Sequence, residues 1–202
     1  MKEPKPKFCL ICGDQFNPLK STDKVCSRQC GYVLLGQKEI DKKVKAMKAK
    51  LKEDNVFKNL QIKINKIVRL IDRGHPCISS GKPYGKYTVH AGHFHGTQAH
   101  PAIRYNLLNI YAQADFDNTY KSGNYVAYYK NLWSTFGEDV ADEISDLPLK
   151  YKTLKLSKPE AKEACLKANQ IIKALESIDR MFTTKERISV RKEFNKTLGI
   201  YK

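Results

Sequence analysis

Between Tyr32 and Asp72, apolar residues recur at three- and four-residue steps: Ile40, Val44, Met47 and Leu51, then Leu60, Ile64, Ile67 and Leu70-Ile71. That period puts them on one face of a helix. With no proline in the segment, it predicts one long or broken helix that stops at Gly74-His75-Pro76. Lys38, Lys42, Lys43, Lys45, Lys48, Lys50 and Lys52 crowd the remaining surface, either as a solvated face or as one that tracks a polyanion. From Pro76 to about Asn124 helical periodicity is absent, and four of the five histidines fall between His90 and His100. Such a stretch suits a site better than a core. Helical texture resumes from Tyr125 to Trp133 and ends near Gly137, and Leu147-Pro148 breaks the chain again. Ser157 is an N-cap with Pro159 in the first turn, opening a helix through Ala164, Leu166, Ile171-Ile172 and Leu175. A last helix begins near Thr184 and runs to Leu198, before Gly199.

The cysteines add a second kind of pattern. Cys9-Leu10-Ile11-Cys12-Gly13 and Cys26-Ser27-Arg28-Gln29-Cys30 form C-x2-C, a 13-residue spacer, then C-x3-C. Four thiolates in short pairs satisfy the tetrahedral preference of Zn²⁺. Gly13 suits the tight turn after the first pair, and Ser27 can cap a helix that starts at the second. The arrangement resembles a treble-clef finger and predicts one structural zinc. Two disulfides are the alternative, disfavoured in a reducing compartment. Nothing like a secretory signal follows the charged N-terminus, and no apolar run approaches the roughly 18 residues of a membrane span. The expected location is therefore the cytoplasm, with no membrane partner.

Charge narrows the choice of partner. Lys and Arg number 37 against 21 Asp and Glu, a formal net charge of +16 on 202 residues. Cations gain affinity for phosphates by releasing condensed counterions, so a polyanion such as nucleic acid is the favoured partner. Charge alone identifies neither DNA nor a reaction.

Chemistry concentrates in the centre. The segment carries Cys77-Ile78-Ser79-Ser80-Gly81, Val89-His90-Ala91-Gly92-His93-Phe94-His95, Pro101-Ala102-Ile103-Arg104-Tyr105-Asn106, Asn109-Ile110, Gln113, Asn118 and Ser122-Gly123-Asn124. In order and spacing these resemble the phage recombination family NinG (lambda Rap), whose motifs run C-I-S-C-G, A-G-H-Y/F, P-x-L-R-F/Y, N-I-x-x-Q-C-x-x-C-N and S-G-N. The resemblance implies a ββα-metal (HNH) endonuclease that acts on branched DNA such as Holliday junctions in phage recombination, with Mg²⁺ as catalytic metal. By position, His93 is the general base, Asn109 holds the loop that orients it, Asn118 ligates Mg²⁺ and Arg104 contacts a phosphate. His90, His95 and Asp117 are candidates to assist; if residues 91–95 are extended, His93 and His95 share a face. Lys42, Lys43, Lys45 and Lys48 of the basic helix are the expected DNA contacts, and a homodimer is an expected arrangement.

Two departures accompany the resemblance. Of the family's second set of four cysteines only Cys77 is present, with Ser80, Ala114 and Asp117 in the other places; no second structural zinc is expected. Gly92 stands where many HNH enzymes place a metal-ligating Asp or His, leaving the second protein ligand open. A DNA-binding recombination factor that no longer cuts is the competing reading, and an RNA-binding ribosome-associated protein a third. Elsewhere the ordinary structural roles are expected: His75 and His100 as surface residues, Cys165, Tyr129 and Trp133 as core. The whole reads as a mostly helical α+β chain in four parts: a Cys₄ finger (1–36), a basic helical connector (37–75), an HNH-like core (76–140) and a C-terminal helical region (141–202).

Overall fold

The computed structural model describes residues 5–36, 38–39, 56–121 and 123–201. Lys42, Lys43, Lys45 and Lys48, and the stretch expected as a basic helix that carries them, lie outside the described residues. The chain divides into two compact units, residues 1–52 and 53–202.

In the first unit, β1 (Lys7–Phe8) and β2 (Gln15–Phe16) pair antiparallel around the first cysteine pair. Gly13, at φ +80, makes the reversal that sends its N–H back to the Cys9 carbonyl (3.0 Å). Residues 28–36 are helical (α1), and Ser27 Oγ accepts the Cys30 N–H at 3.2 Å, the cap its position suggested.

The second unit is built on α2 (Val56–Ile71), whose Val56, Leu60, Ile64, Ile67, Val68 and Ile71 are buried along one stripe. Gly74, at φ +84, ends that run as expected. Next come β3 (Val89–His93) and β4 (Ile110–Ala114), an antiparallel pair in the register Val89↔Ala114 to His93↔Ile110. The loop between them holds two 3₁₀ turns, Pro101–Ile103 and Leu107–Asn109. A short helix α3 (Asp115–Tyr120) follows β4 directly, then α4 (Tyr125–Phe136), α5 (Glu138–Ser145), α6 (Leu147–Lys150), α7 (Lys158–Glu176) and α8 (Thr184–Leu198). Both long C-terminal helices start on capping boxes, Ser157 with Glu160 and Thr183 with Glu186.

Two apolar clusters enclose the strand pair. One joins α2, α7 and the ends of α8 to Ala91, Leu107 and Ile110; the other joins Phe94, Ile103, Leu108 and Tyr111 to α4, α5 and Leu147. Residues expected to form a site rather than a core are thus among the most buried in the chain: every residue of β4 is buried. The break expected at Leu147-Pro148 falls between α5 and α6, with Pro148 in the first turn of α6. Trp133 is half exposed, on the outer side of α4 from Tyr128 and Leu132, so it is not a core residue. His75 is half-buried and held by its ring against the Phe182 carbonyl (2.7 Å), not loose on the surface.

Beneath β4 lies a buried ionic group that no local pattern announced. Asp72, with no exposed surface, accepts from Arg187 and Arg191 at 2.8 Å each and from the Ala112 backbone N–H at 2.7 Å. Burial by itself would raise its carboxyl pKa; Arg191 and Arg187 outweigh that and hold it below the ordinary range. Arg191 also donates to the Leu107 and Ile110 carbonyls, on either side of Asn109, and lies over the Tyr111 ring at 4.2 Å. One helix thereby fixes the turn that carries Asn109.

Candidate active site and metal centre

Cys9, Cys12, Cys26 and Cys30 bring their four sulfurs within 4.8 Å of one another, with Cys12–Cys26 at 3.5 Å and Cys26–Cys30 at 3.7 Å. All are free thiols, so the disulfide alternative is set aside. A tetrahedron of Zn–S bonds of about 2.3 Å has edges of about 3.8 Å, which these separations match. Backbone N–H groups, that of Cys12 foremost, lower the Cys9 thiol to about 6. At Cys12 the Asp14 backbone favours the thiolate, yet the Cys9 and Cys26 sulfurs push it up to about 12. Four thiolates this close repel, and a divalent cation is what removes the conflict. Elemental analysis of the purified chain is expected to find one tightly bound zinc, lost in Cys12→Ser; two zincs, or none, would contradict this.

In the second unit, the strand pair sets the site. His93 is the last residue of β3 and mostly buried, and its Nε2 lies 2.9 Å from the Arg104 carbonyl. A carbonyl can only accept, so Nε2 carries the proton and Nδ1 keeps the lone pair. Burial, assisted by the Arg104 charge, lowers the His93 pKa and outweighs the opposing carbonyl bond. The ring is therefore a neutral base near pH 7.

Asn109 has no exposed surface. Its Oδ1 accepts the His95 N–H at 2.8 Å, its Nδ2 donates to the His95 carbonyl at 3.1 Å, and its own carbonyl accepts the Phe94 N–H at 2.8 Å. Three bonds thus pin the two residues after His93 to the start of β4.

A cavity of about 370 Å³ is lined by His93, Arg104 and Asn118, together with Ala91, Gly96, Thr97 and Gly123. Gln61 and Asn65 of α2 complete it, and these the sequence reading missed. Arg104 Nε donates to Gln61 Oε1 (3.3 Å) and Gln61 Nε2 to Asn65 Oδ1 (2.8 Å), so a polar strip of α2 orients the guanidinium. Asn118 lies on α3 with its amide 3.4 Å from His90 Nδ1.

Other candidates sit elsewhere. β3 ends at His93, so the extended run to His95 does not form; His95 turns away, its ring 3.0 Å from the Ile144 carbonyl and edge-on to His100. Asp117 is buried, is not among the residues lining the cavity, and accepts from Ser79 Oγ at 3.0 Å, with Cys77 Sγ at 3.8 Å and Lys121 Nζ at 3.4 Å. Burial pushes its carboxyl up, but Ser80, Ser79 and Lys121 hold it below the usual range. Cys77 Sγ accepts the Ser80 and Ala114 N–H groups at 3.4 and 3.1 Å. Hydrogen bonds, rather than four thiolates, therefore tie the start of α3 to the 77–80 turn and place Asn118 beside it.

Gly92 is fixed by its neighbour. A Cβ there would fall 1.9 Å from Gln113 Oε1, and Gln113 is anchored by donating to Ser79 Oγ (3.0 Å) and the Gly123 carbonyl (2.6 Å). No side chain fits at position 92, and the imidazole within hydrogen-bond distance of Asn118 is that of His90.

The structure thus defines a mostly helical α+β protein with two small two-stranded sheets, a four-cysteine cluster and a polar cavity at a strand end. Among known families, residues 1–178 match the one described as Bacteriophage Lambda NinG protein. The chain belongs to that family. It is 32% identical to Protein ninG of Enterobacteria phage H19B, over 71% of this chain and 82% of that protein. Against Protein ninG of Escherichia phage lambda it is 31% identical over the same shares, and against that of Salmonella phage P22, 30% over 66% and 76%. No solved structure matches the chain. No helix among the described residues is long and apolar enough to cross a membrane.

Proposed function

We propose that the chain is a metal-dependent DNA endonuclease of the ββα-metal (HNH) type, acting on branched DNA and carrying a treble-clef zinc finger. The observation that supports this most is the shared cavity: His93, with its Nε2 bonded to a carbonyl, Arg104 and Asn118 line one space.

In this reading β3, β4 and α3 are the ββα unit. Arg104 holds the scissile phosphate and His93 Nδ1 removes a proton from the attacking water. Asn109 keeps the base aimed by clamping residues 94 and 95. Asn118 Oδ1, with His90 beside it, would hold Mg²⁺, which binds few protein ligands and keeps waters and phosphate oxygens. Such an ion supplies charge stabilisation at the leaving oxygen. The net charge of +16 favours binding to the phosphate backbone.

A DNA-binding recombination factor is the second reading, favoured by the replacement of three of the four expected knuckle cysteines. The Cys77–Ser79–Asp117 bonds, however, hold α3 in place without a metal.

The pH profile is a direct check. A depressed histidine stays deprotonated to lower pH, so kcat/KM should hold through pH 6.5, the ordinary histidine value of about 6.5, and fall only further into acid. A limb above that value would remove His93 as the base. The same sign applies to stability: the benefit of a neutral buried His93 is present above its ordinary pKa and is lost as pH falls through the depressed one.

A further inference from the structure

A second cavity, of about 550 Å³, adjoins the first, and Arg104 lines both. Its walls differ in kind. Phe57, Tyr105, Pro101, Leu154 and Leu156 make them aromatic and aliphatic, Lys152 is the other cation besides Arg104, and no carboxylate is among its lining residues. Tyr105 is fixed: its hydroxyl donates to the Phe57 carbonyl (3.3 Å), its N–H donates to Tyr201 Oη (3.1 Å), and the Arg104 guanidinium sits 5.3 Å from its ring. Phe57 is more than a third exposed, so its ring is available at the cavity wall. Among the described residues no carboxylate pairs with Arg104.

Building on the nuclease reading, we infer that this cavity receives one unpaired nucleobase next to the phosphate held at Arg104. An apolar recess with cations and no acid suits a flat π-system attached to an anion. Bases within a duplex are stacked and enter such a recess only at the cost of unpairing; a bulged, mismatched or single-stranded nucleotide beside a branch enters at little cost. The recess therefore selects DNA in which a base next to the cut is unpaired, and Arg104 couples the base and phosphate positions.

The test reads binding, not cutting. In chelator-free buffer with no added Mg²⁺, the full zinc-loaded chain is titrated against a fluorescein-labelled duplex with one unpaired nucleotide and against the matched duplex. The wild type should prefer the unpaired form by about tenfold, the scale of one base–aromatic stack. Phe57→Ala should lose that preference while keeping its affinity for matched duplex. Phe57→Leu, which keeps the apolar volume without the ring, should do the same and guards against a folding defect. Equal wild-type affinity for both DNAs would overturn the inference, as would Phe57 variants that weaken both equally or neither. Without Mg²⁺ the outcome is independent of catalysis: a preference in a chain that never cuts with Mg²⁺ would sink the nuclease reading and keep the recess, and cutting without preference would do the reverse.

Discussion

Asp72→Ala is expected to cost about 3–5 kcal/mol of folding stability, because it strands two buried guanidiniums without their shared carboxylate. Arg187 and Arg191 are nearly free of exposed surface, and the Ala112 N–H would lose its acceptor as well. Trp133 is the only tryptophan, so its emission during urea unfolding reports on the unit that holds the group. Lys66→Ala, which removes the exposed pair with Glu176, is the control and should change stability by about 0–1 kcal/mol. The pH sign also follows. A depressed carboxylate contributes its full stability above the ordinary value of about 3.9 and loses it as pH falls through the lower one. The deficit of Asp72→Ala should therefore be constant near neutrality and shrink only in strong acid. A variant as stable as the wild type would show that the group does not hold α8 to β4.

The second large effect is on chemistry. His93→Ala should lower the cleavage rate by about 10²–10⁴-fold, the usual contribution of a general base, and leave DNA affinity nearly intact. Affinity should survive because, in the proposed mechanism, Arg104 and the charged surface hold the phosphate whereas His93 acts on water. Asn118→Ala should also cut slowly and be partly rescued by added Mg²⁺, since its proposed role is to retain the ion. His100→Ala is the control: it packs against the His95 ring outside the cavity and should cut normally.

Which parts of this were legible in the sequence follows from how local each signal is. Capping chemistry acts over three residues, so Ser157 and the start of the last helix near Thr184 could be read directly; so could the cysteine pairs and the stop at Gly74. α5 was missed because eight residues, half of them acidic, are too short a stretch to show a helical period, and β4 because a strand buried on both faces has no alternation. Trp133 was misplaced because hydrophobicity alone does not say which side of α4 faces inward. Asp72 gave no hint, as its partners lie 115 and 119 residues away.

The site divides in the same way. The motif residues His93, Arg104 and Asn118 line one cavity, while Asp117 and His95, equally plausible by spacing, bond elsewhere. Gln61 and Asn65 were invisible because polar positions on an amphipathic helix look the same whether they face solvent or a cavity. Gly92 shows the converse. Its lack of a ligand side chain left the second protein ligand open, and the structure accounts for the glycine by the Gln113 side chain pressed against it.

The most direct measurement of the central claim is a time course with an end-labelled four-way junction, using wild type and His93→Ala at equal folded content, each with and without Mg²⁺. The account predicts phosphodiester cleavage by the wild type only with the metal, and loss of that cleavage in His93→Ala with junction binding retained. Wild type that cuts neither branched nor linear DNA with Mg²⁺ or Mn²⁺, or His93→Ala that cuts as fast as wild type, would contradict it.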